Sequence, residues 1–107
     1  MSVFAVQYTY VDDSPALDEH RPAHREFLRD LADQGICLLA GAYPGQEDLP
    51  AAALLLFEGE SAEAVTALLA QDPFQLEGLV ASSVVRLWSP PLGSWIAGDD
   101  APLTGRF

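Results

Sequence analysis

The sequence predicts an α+β chain with the element order β-α-β-β-α-β, which is the pattern of a ferredoxin-like sandwich. Three observations carry this prediction: a period-two run near the N-terminus, two segments with apolar residues at helical spacing, and three later apolar runs bounded by turn residues. The chain has 107 residues, a length that suits one domain built around one hydrophobic core.

The first predicted strand covers 3–11, because its residues alternate between two faces. One face carries Phe4, Val6, Tyr8 and Tyr10. The first helix is predicted to begin near Arg21-Pro22, since proline suits a first helical turn, and to end at Gly35, a natural C-terminal cap. The inward stripe of this helix is His24, Phe27, Leu28 and Leu31.

The other predicted elements are strands over 36–43, 51–58 and approximately 80–88, and a helix over 62–71. That second helix stops at Asp72-Pro73, because proline cannot continue a helix. Proline-rich sequence follows the last strand and predicts irregular structure. The expected organisation is therefore one α+β domain over 1–89 and an irregular tail over 90–107.

The third strand is apolar at both odd and even positions, as "AAALLLF" at 51–57 shows. Both faces of the sheet therefore need cover, and two helices can cover only one face. An identical sheet is the simplest partner for the other face, so we expect a homodimer packed sheet against sheet. A small-molecule pocket walled by apolar strands is the alternative explanation of this pattern.

The charge balance limits the possible partners. The chain has 16 acidic residues and 5 basic residues, all of them arginine, and a formal net charge of −11. Nucleic acids and anionic membranes need a basic surface, so neither is an expected partner. No signal peptide and no apolar run of about 20 residues is recognised, and we expect a cytoplasmic protein.

Two histidines titrate near neutrality without help, His20 and His24. Their spacing is that of two metal ligands on one helical face, but no third ligand is apparent and no metal is expected. His24 lies on the apolar stripe, where a buried structural histidine is the commoner role. A catalytic role requires a partner such as Asp72. We expect the two helices to run roughly parallel, which places these residues at opposite ends of the helical layer and counts against a direct pair.

Arg21 and Tyr8 are weaker candidates. Arg21 is suited to binding a substrate carboxylate, and a surface role at a helix start is the alternative. Tyr8 shares its strand face with Tyr10, and the two side chains either line a pocket or contribute to a dimer contact.

Two segments, "RPAHREFLRDLADQGICLLAGAYP" (21–44) and "DPFQLEGLV" (72–80), resemble the YciI-like, or YCII-related, family. The similar elements are Arg21-Pro22-Ala23-His24, Gly35, Ala40-Gly41, Asp72-Pro73-Phe74 and Gly78. The resemblance spans most of 3–88 and excludes the tail. This chain has Gly41-Ala42 where family members often have Gly-Pro, which indicates that its substrate selection differs.

The resemblance implies a ferredoxin-like fold, a dimeric α/β-barrel-type assembly, and an active site with a histidine and an aspartate. These residues correspond here to His24 and Asp72. The substrate-binding candidates are Arg21 and Tyr8, named above, together with Phe74 of the Asp72-Pro73-Phe74 block. The implied activity is cofactor-independent general acid–base catalysis on a small cyclic or aromatic metabolite, by proton abstraction with elimination or isomerisation. Chemistry ascribed to the family includes elimination of a halide from a hydroxylated ring.

Two alternatives remain open at this stage. The first is a non-catalytic dimer that binds a small molecule or a partner domain in the same cleft, because a site can persist without turnover. The second is a cofactor-independent oxygenase of the related dimeric α/β-barrel type, which rests on analogy of fold alone.

Overall fold

The computed structural model of the chain describes residues 1–95 and contains four strands and three helices. The strands are β1 (Ser2–Tyr10), β2 (Cys37–Tyr43), β3 (Ala52–Gly59) and β4 (Val80–Trp88), and the helices are α1 (Ser14–Asp33), α2 (Ala62–Leu69) and α3 (Pro73–Leu76). The strands form one sheet in the order β2-β3-β1-β4, with every neighbouring pair antiparallel. This arrangement confirms the predicted ferredoxin-like α+β fold.

The core lies between the helices and the inward face of the sheet. In β1 and β3 alternate residues are buried, because successive side chains of a strand point to opposite faces. The buried strand residues are Phe4, Val6, Tyr8, Ala53, Leu55 and Phe57. From the helices Leu31, Val65 and Leu69 join this cluster. The predicted alternation of the first strand, with Phe4, Val6 and Tyr8 on one face, is therefore confirmed.

Helix α1 begins at Ser14, so the predicted start near Arg21 is wrong. The Asp13 side chain caps the helix by accepting a hydrogen bond from the Ala16 N–H at 3.2 Å. Proline also lies in the first turn, at Pro15. These start signals lie in a segment whose turn-forming composition predicts a loop. Pro22 lies inside the helix on an exposed position.

Helix α1 ends as predicted at Gly35. Gly35 adopts φ 76°, which is a left-handed conformation that glycine adopts without steric cost. The Ile36 N–H donates to the Leu31 carbonyl at 2.9 Å, and the Gly35 N–H donates to the Ala32 carbonyl at 3.0 Å. This pair of bonds is a Schellman motif, and it directs the chain into β2.

Helix α3 was not predicted, although its sequence contains complete start and stop signals. Asp72 is its N-cap, Pro73 lies in its first turn, and Gly78 follows its end with φ 70°. The Leu79 N–H donates to the Phe74 carbonyl at 2.9 Å, which closes the turn. The chain therefore curls back directly after α2 and places the Asp72 side chain in the interior.

The two long helices run antiparallel, which corrects the expectation of parallel helices. Because β1 and β3 are antiparallel, the helices that return from their C-terminal ends also run in opposite directions. The start of α1 and the end of α2 consequently lie at the same end of the helical layer.

The outward face of the sheet carries apolar side chains that no described element covers. Leu39, Tyr43, Val84 and Trp88 are each between 44% and 49% exposed. Residues 89–95 follow β4 without regular structure, and the rest of the predicted tail, 96–107, lies outside the described residues. Within residues 1–95 no helix is both long and apolar enough to span a bilayer.

Two tyrosines of β1, the buried Tyr8 and the half-buried Tyr10, predict a loss of stability in alkali. Burial, and secondarily the nearby Asp72 carboxylate, raises the pKa of Tyr10 to about 12 and that of Tyr8 further still. The folded state therefore holds both phenolic protons more tightly than the unfolded state. Each contribution is complete below the ordinary tyrosine pKa of about 10. The contribution of Tyr10 is lost as the pH rises through about 12, and the loss for Tyr8 extends to higher pH.

Urea unfolding across this pH range measures the effect. Tyr10→Phe is expected to reduce the alkaline loss of unfolding free energy by on the order of 1 kcal/mol, and Tyr8→Phe to reduce it as well. A double variant that loses stability as steeply as the wild type would contradict the assignment.

Candidate active site

The Asp72 carboxylate is the central group of the site and has no exposed surface. Its Oδ2 accepts a hydrogen bond from the Tyr8 hydroxyl at 3.0 Å, and its Oδ1 accepts one from the Phe74 backbone N–H at 3.0 Å. Nδ1 of His24 lies 2.8 Å from Oδ1 and 3.0 Å from Oδ2. A buried charge requires such partners, because removing it from water is costly without them.

His24 projects from the middle of α1 and is 8% exposed. An ionised carboxylate can only accept, so the hydrogen-bond pattern assigns a proton to Nδ1. In neutral imidazole Nε2 then carries a free lone pair. Among residues 1–95, no buried side-chain nitrogen or oxygen lacks a hydrogen-bond partner. Nε2 makes no hydrogen bond to another group in that range, and the His24 side chain is 10% exposed.

Aromatic rings hold the imidazole in this orientation. The Phe74 ring stacks on His24 with a centroid distance of 4.0 Å and an interplanar angle of 9°. Tyr10 meets Phe74 edge to face at 5.3 Å. The stacked ring restricts rotation of the imidazole, and the carboxylate fixes which nitrogen faces inward. His24 is therefore constrained in both position and tautomer.

A cavity of about 320 Å³ lies beside His24 on the helix-covered side of the sheet. Its volume is within the range of small-molecule sites. Arg21 and Arg25 of α1 and Tyr10 of β1 line it together with His24. Small inward residues of β2 and β3 leave the space open, namely Ala40, Ala42 and Ala53.

The structure brings His24 and Asp72 into direct contact, whereas the predicted helix directions kept them apart. Two causes account for the difference: the helices are antiparallel, and α3 turns Asp72 back over the core. Arg21 and Phe74 line the cavity, as expected of substrate-binding candidates. Tyr8 does not line it, because its ring is fully buried in the core behind Asp72.

His20 lies on α1 rather than before it, so the spacing with His24 is helical. Its Nε2 faces Glu77 Oε1 at 3.7 Å, at the surface. In the part of the chain that the structure describes, no three His, Cys, Asp or Glu side chains converge on a position where a metal could bind.

Sequence reasoning missed three contributors to the site. Arg25 lines the cavity one helical turn after Arg21. The four-residue spacing of the two arginines was the available signal in the sequence, because it places them on the same face of the helix. Tyr10 was noted only as a neighbour of Tyr8. The Phe74 N–H was not identifiable, since its role depends on α3.

Solved structures share this fold. A 5-chloro-2-hydroxyhydroquinone dehydrochlorinase (TftG) from Burkholderia phenoliruptrix, in complex with 2,5-dihydroxybenzoquinone, is similar with a TM-score of 0.67 and 24% identity, over 80% of this chain and 92% of that chain. An antibiotic biosynthesis monooxygenase gives a TM-score of 0.52 at 18% identity, over 84% of this chain and 98% of its own. A variant of SnoaB, a cofactor-independent oxygenase from Streptomyces nogalater, gives a TM-score of 0.51 at 16% identity. This similarity covers 86% of this chain and 94% of that chain.

At these identities the similarity to solved structures demonstrates the fold. No curated protein matches the sequence significantly. The sequence model of the YCII-related domain matches residues 1–89, which cover both His24 and Asp72. This chain therefore belongs to the YCII-related family.

Proposed function

We propose that this chain is an enzyme that uses His24 and Asp72 for general acid–base chemistry on a small cyclic or aromatic metabolite. The observation that carries the proposal is the orientation of His24, with Nδ1 on a buried carboxylate and Nε2 available beside a cavity. A dehydrochlorinase and a cofactor-independent oxygenase among the structural neighbours support small-molecule chemistry in this fold.

In this mechanism Nε2 of His24 is the base, and the proton it accepts makes the ring an imidazolium. Asp72 stabilises the imidazolium and keeps Nδ1 protonated, so that Nε2 is the reactive atom. A positioned acid–base group of this kind contributes roughly 10²–10⁴-fold in rate. Tyr8 is a positioning residue, because its hydroxyl holds Asp72 Oδ2 and does not reach the cavity.

The step balances without an oxidant. His24 removes a proton from a carbon or hydroxyl of the ring, and the electron pair of the broken bond moves into the ring system. In an elimination the leaving group departs as an anion with its bonding pair, and His24 afterwards releases its proton, so that the net loss is one molecule of acid. In an isomerisation His24 returns the proton to a different atom. Arg21 and Phe74 contact the substrate.

Removing His24 should abolish turnover. With a panel of halogenated hydroxylated rings that includes 5-chloro-2-hydroxyhydroquinone, the wild type is expected to release halide, and His24→Ala to lose at least about 10²-fold in rate. His20→Ala is the matched control, since it removes a histidine from the same helix outside the cavity. Halide release should persist without oxygen.

Three outcomes would contradict the proposal. Turnover that survives His24→Ala would exclude this residue as the base. Saturable binding of the rings without any turnover would instead identify a binding module, which is the competing function. Turnover that requires oxygen would identify an oxygenase.

The tautomer of His24 provides a second test that is independent of the substrate. Nitrogen-15 NMR should report a proton on Nδ1 in the wild type. In Asp72→Asn the amide can donate to Nδ1, so the proton should move to Nε2 and turnover should fall with it. Tyr8→Phe leaves the carboxylate in place and should retain the wild-type tautomer with a smaller loss of rate. An unchanged His24 spectrum in Asp72→Asn would contradict the pairing.

We also propose that the uncovered outward sheet face joins two copies of the chain. Leu39 lies on the edge strand β2 and is 47% exposed among other apolar side chains of this face. A two-fold axis would bury such a face against itself. Light scattering should give the mass of a dimer. Leu39→Asp should weaken dimerisation at least tenfold, because it buries a charge at the interface. Leu49→Asp is the control, since Leu49 is 62% exposed on the β2–β3 loop. A monomeric wild type would contradict the proposal.

A further inference from the structure

The cavity differs in charge from the rest of the chain. The sequence contains 16 acidic and only 5 basic residues, yet the described cavity lining includes two arginines and no aspartate or glutamate. Arg21 and Arg25 both come from α1, one helical turn apart, and Arg25 directly follows His24. This segregation creates a positive region where a ligand would meet the reactive nitrogen.

The two arginines differ in their existing partners. The Arg21 guanidinium is paired with Asp18, and Arg29 further along α1 is paired with Glu26 at 3.4 Å. Within residues 1–95, Arg25 has no carboxylate in ion-pair range. The Arg25 guanidinium is therefore available to an anion that enters the cavity.

The other cavity groups suit a hydroxylated ring. The Tyr10 phenol is protonated across the physiological range, because the ordinary tyrosine pKa is already about 10. Burial and the Asp72 charge raise the pKa of Tyr10 further, to about 12, so the phenol can donate to a ligand oxygen. Apolar side chains complete the walls, namely Leu17, Leu28 and Leu55. These surfaces suit a flat ring with polar groups on its edge.

We infer that Arg25 selects substrates whose ring carries a carboxylate. A guanidinium binds a carboxylate through two parallel hydrogen bonds, which a neutral group cannot match. Because Arg25 is exposed at the cavity mouth, solvent weakens the interaction, and we expect a preference of roughly tenfold. The inference rests on the proposed function, since it names the class of substrate for the same cavity.

A matched pair of probes tests this inference without knowledge of the natural substrate. The probes are 2,5-dihydroxybenzoate and its methyl ester, which differ in the negative charge and in one methyl group. Dissociation constants are measured by calorimetry at low ionic strength, about 0.01 M, where screening is weak. The wild type should bind the acid roughly tenfold more tightly than the ester.

Variants of α1 assign the preference to one side chain. Arg25→Gln should remove most of the preference, and Arg25→Lys should restore part of it, since lysine keeps the charge without the bidentate geometry. Arg29→Gln is the matched control, because it removes the same charge from the same helix and should leave the preference intact. Circular dichroism verifies that each variant is folded.

The inference is overturned if the wild type binds both probes equally, if it binds neither, or if the preference survives Arg25→Gln. Its failure is distinguishable from failure of the proposed function. Asp72→Asn should keep the preference for the acid while it loses turnover. Conversely, a wild type that turns over only uncharged rings would support the acid–base chemistry and refute the role of Arg25.

Discussion

One buried carboxylate connects the parts of this molecule that would otherwise be independent. Asp72 accepts hydrogen bonds from β1 through Tyr8, from α3 through the Phe74 N–H, and from α1 through His24. Each donor removed would leave part of a charge buried without a partner, at a cost of about 1–3 kcal/mol. The same bonds that fix the helices on the sheet also fix the imidazole. Stability and site geometry therefore depend on one interaction.

The sheet separates the site from the apolar surface. On the inward face, small alanines of β2 and β3 leave the cavity open below α1, and Arg21 and Arg25 of that helix line it. On the outward face, apolar side chains such as Leu39 remain uncovered. Because alternate residues of one strand serve the two faces, an assembly through the outward face would leave the groups around His24 in place.

Local patterns in the sequence predicted much of the fold. The alternation in β1, the glycine stop after α1 and the positions of the four strands along the chain depend on neighbours within a few residues, and all were predicted correctly. The start of α1 was missed because Asp13 and Pro15 also fit a loop. Helix α3 was missed because Asp72-Pro73 was interpreted only as the end of the preceding helix. The same two residues also begin a further helical turn, since proline suits the first turn of a helix.

Sequence by itself determined the strands, the end of α1 at Gly35, the family, and the two candidate residues His24 and Asp72. Only the tertiary structure decided that these two residues touch, and that Tyr8 supports the carboxylate rather than lining the cavity. The contacts join residues 48 and 64 positions apart. They depend on which strands pair and in which direction, because strand pairing sets the direction of each returning helix. No local periodicity contains that information, since it arises only when distant segments bury their apolar faces together.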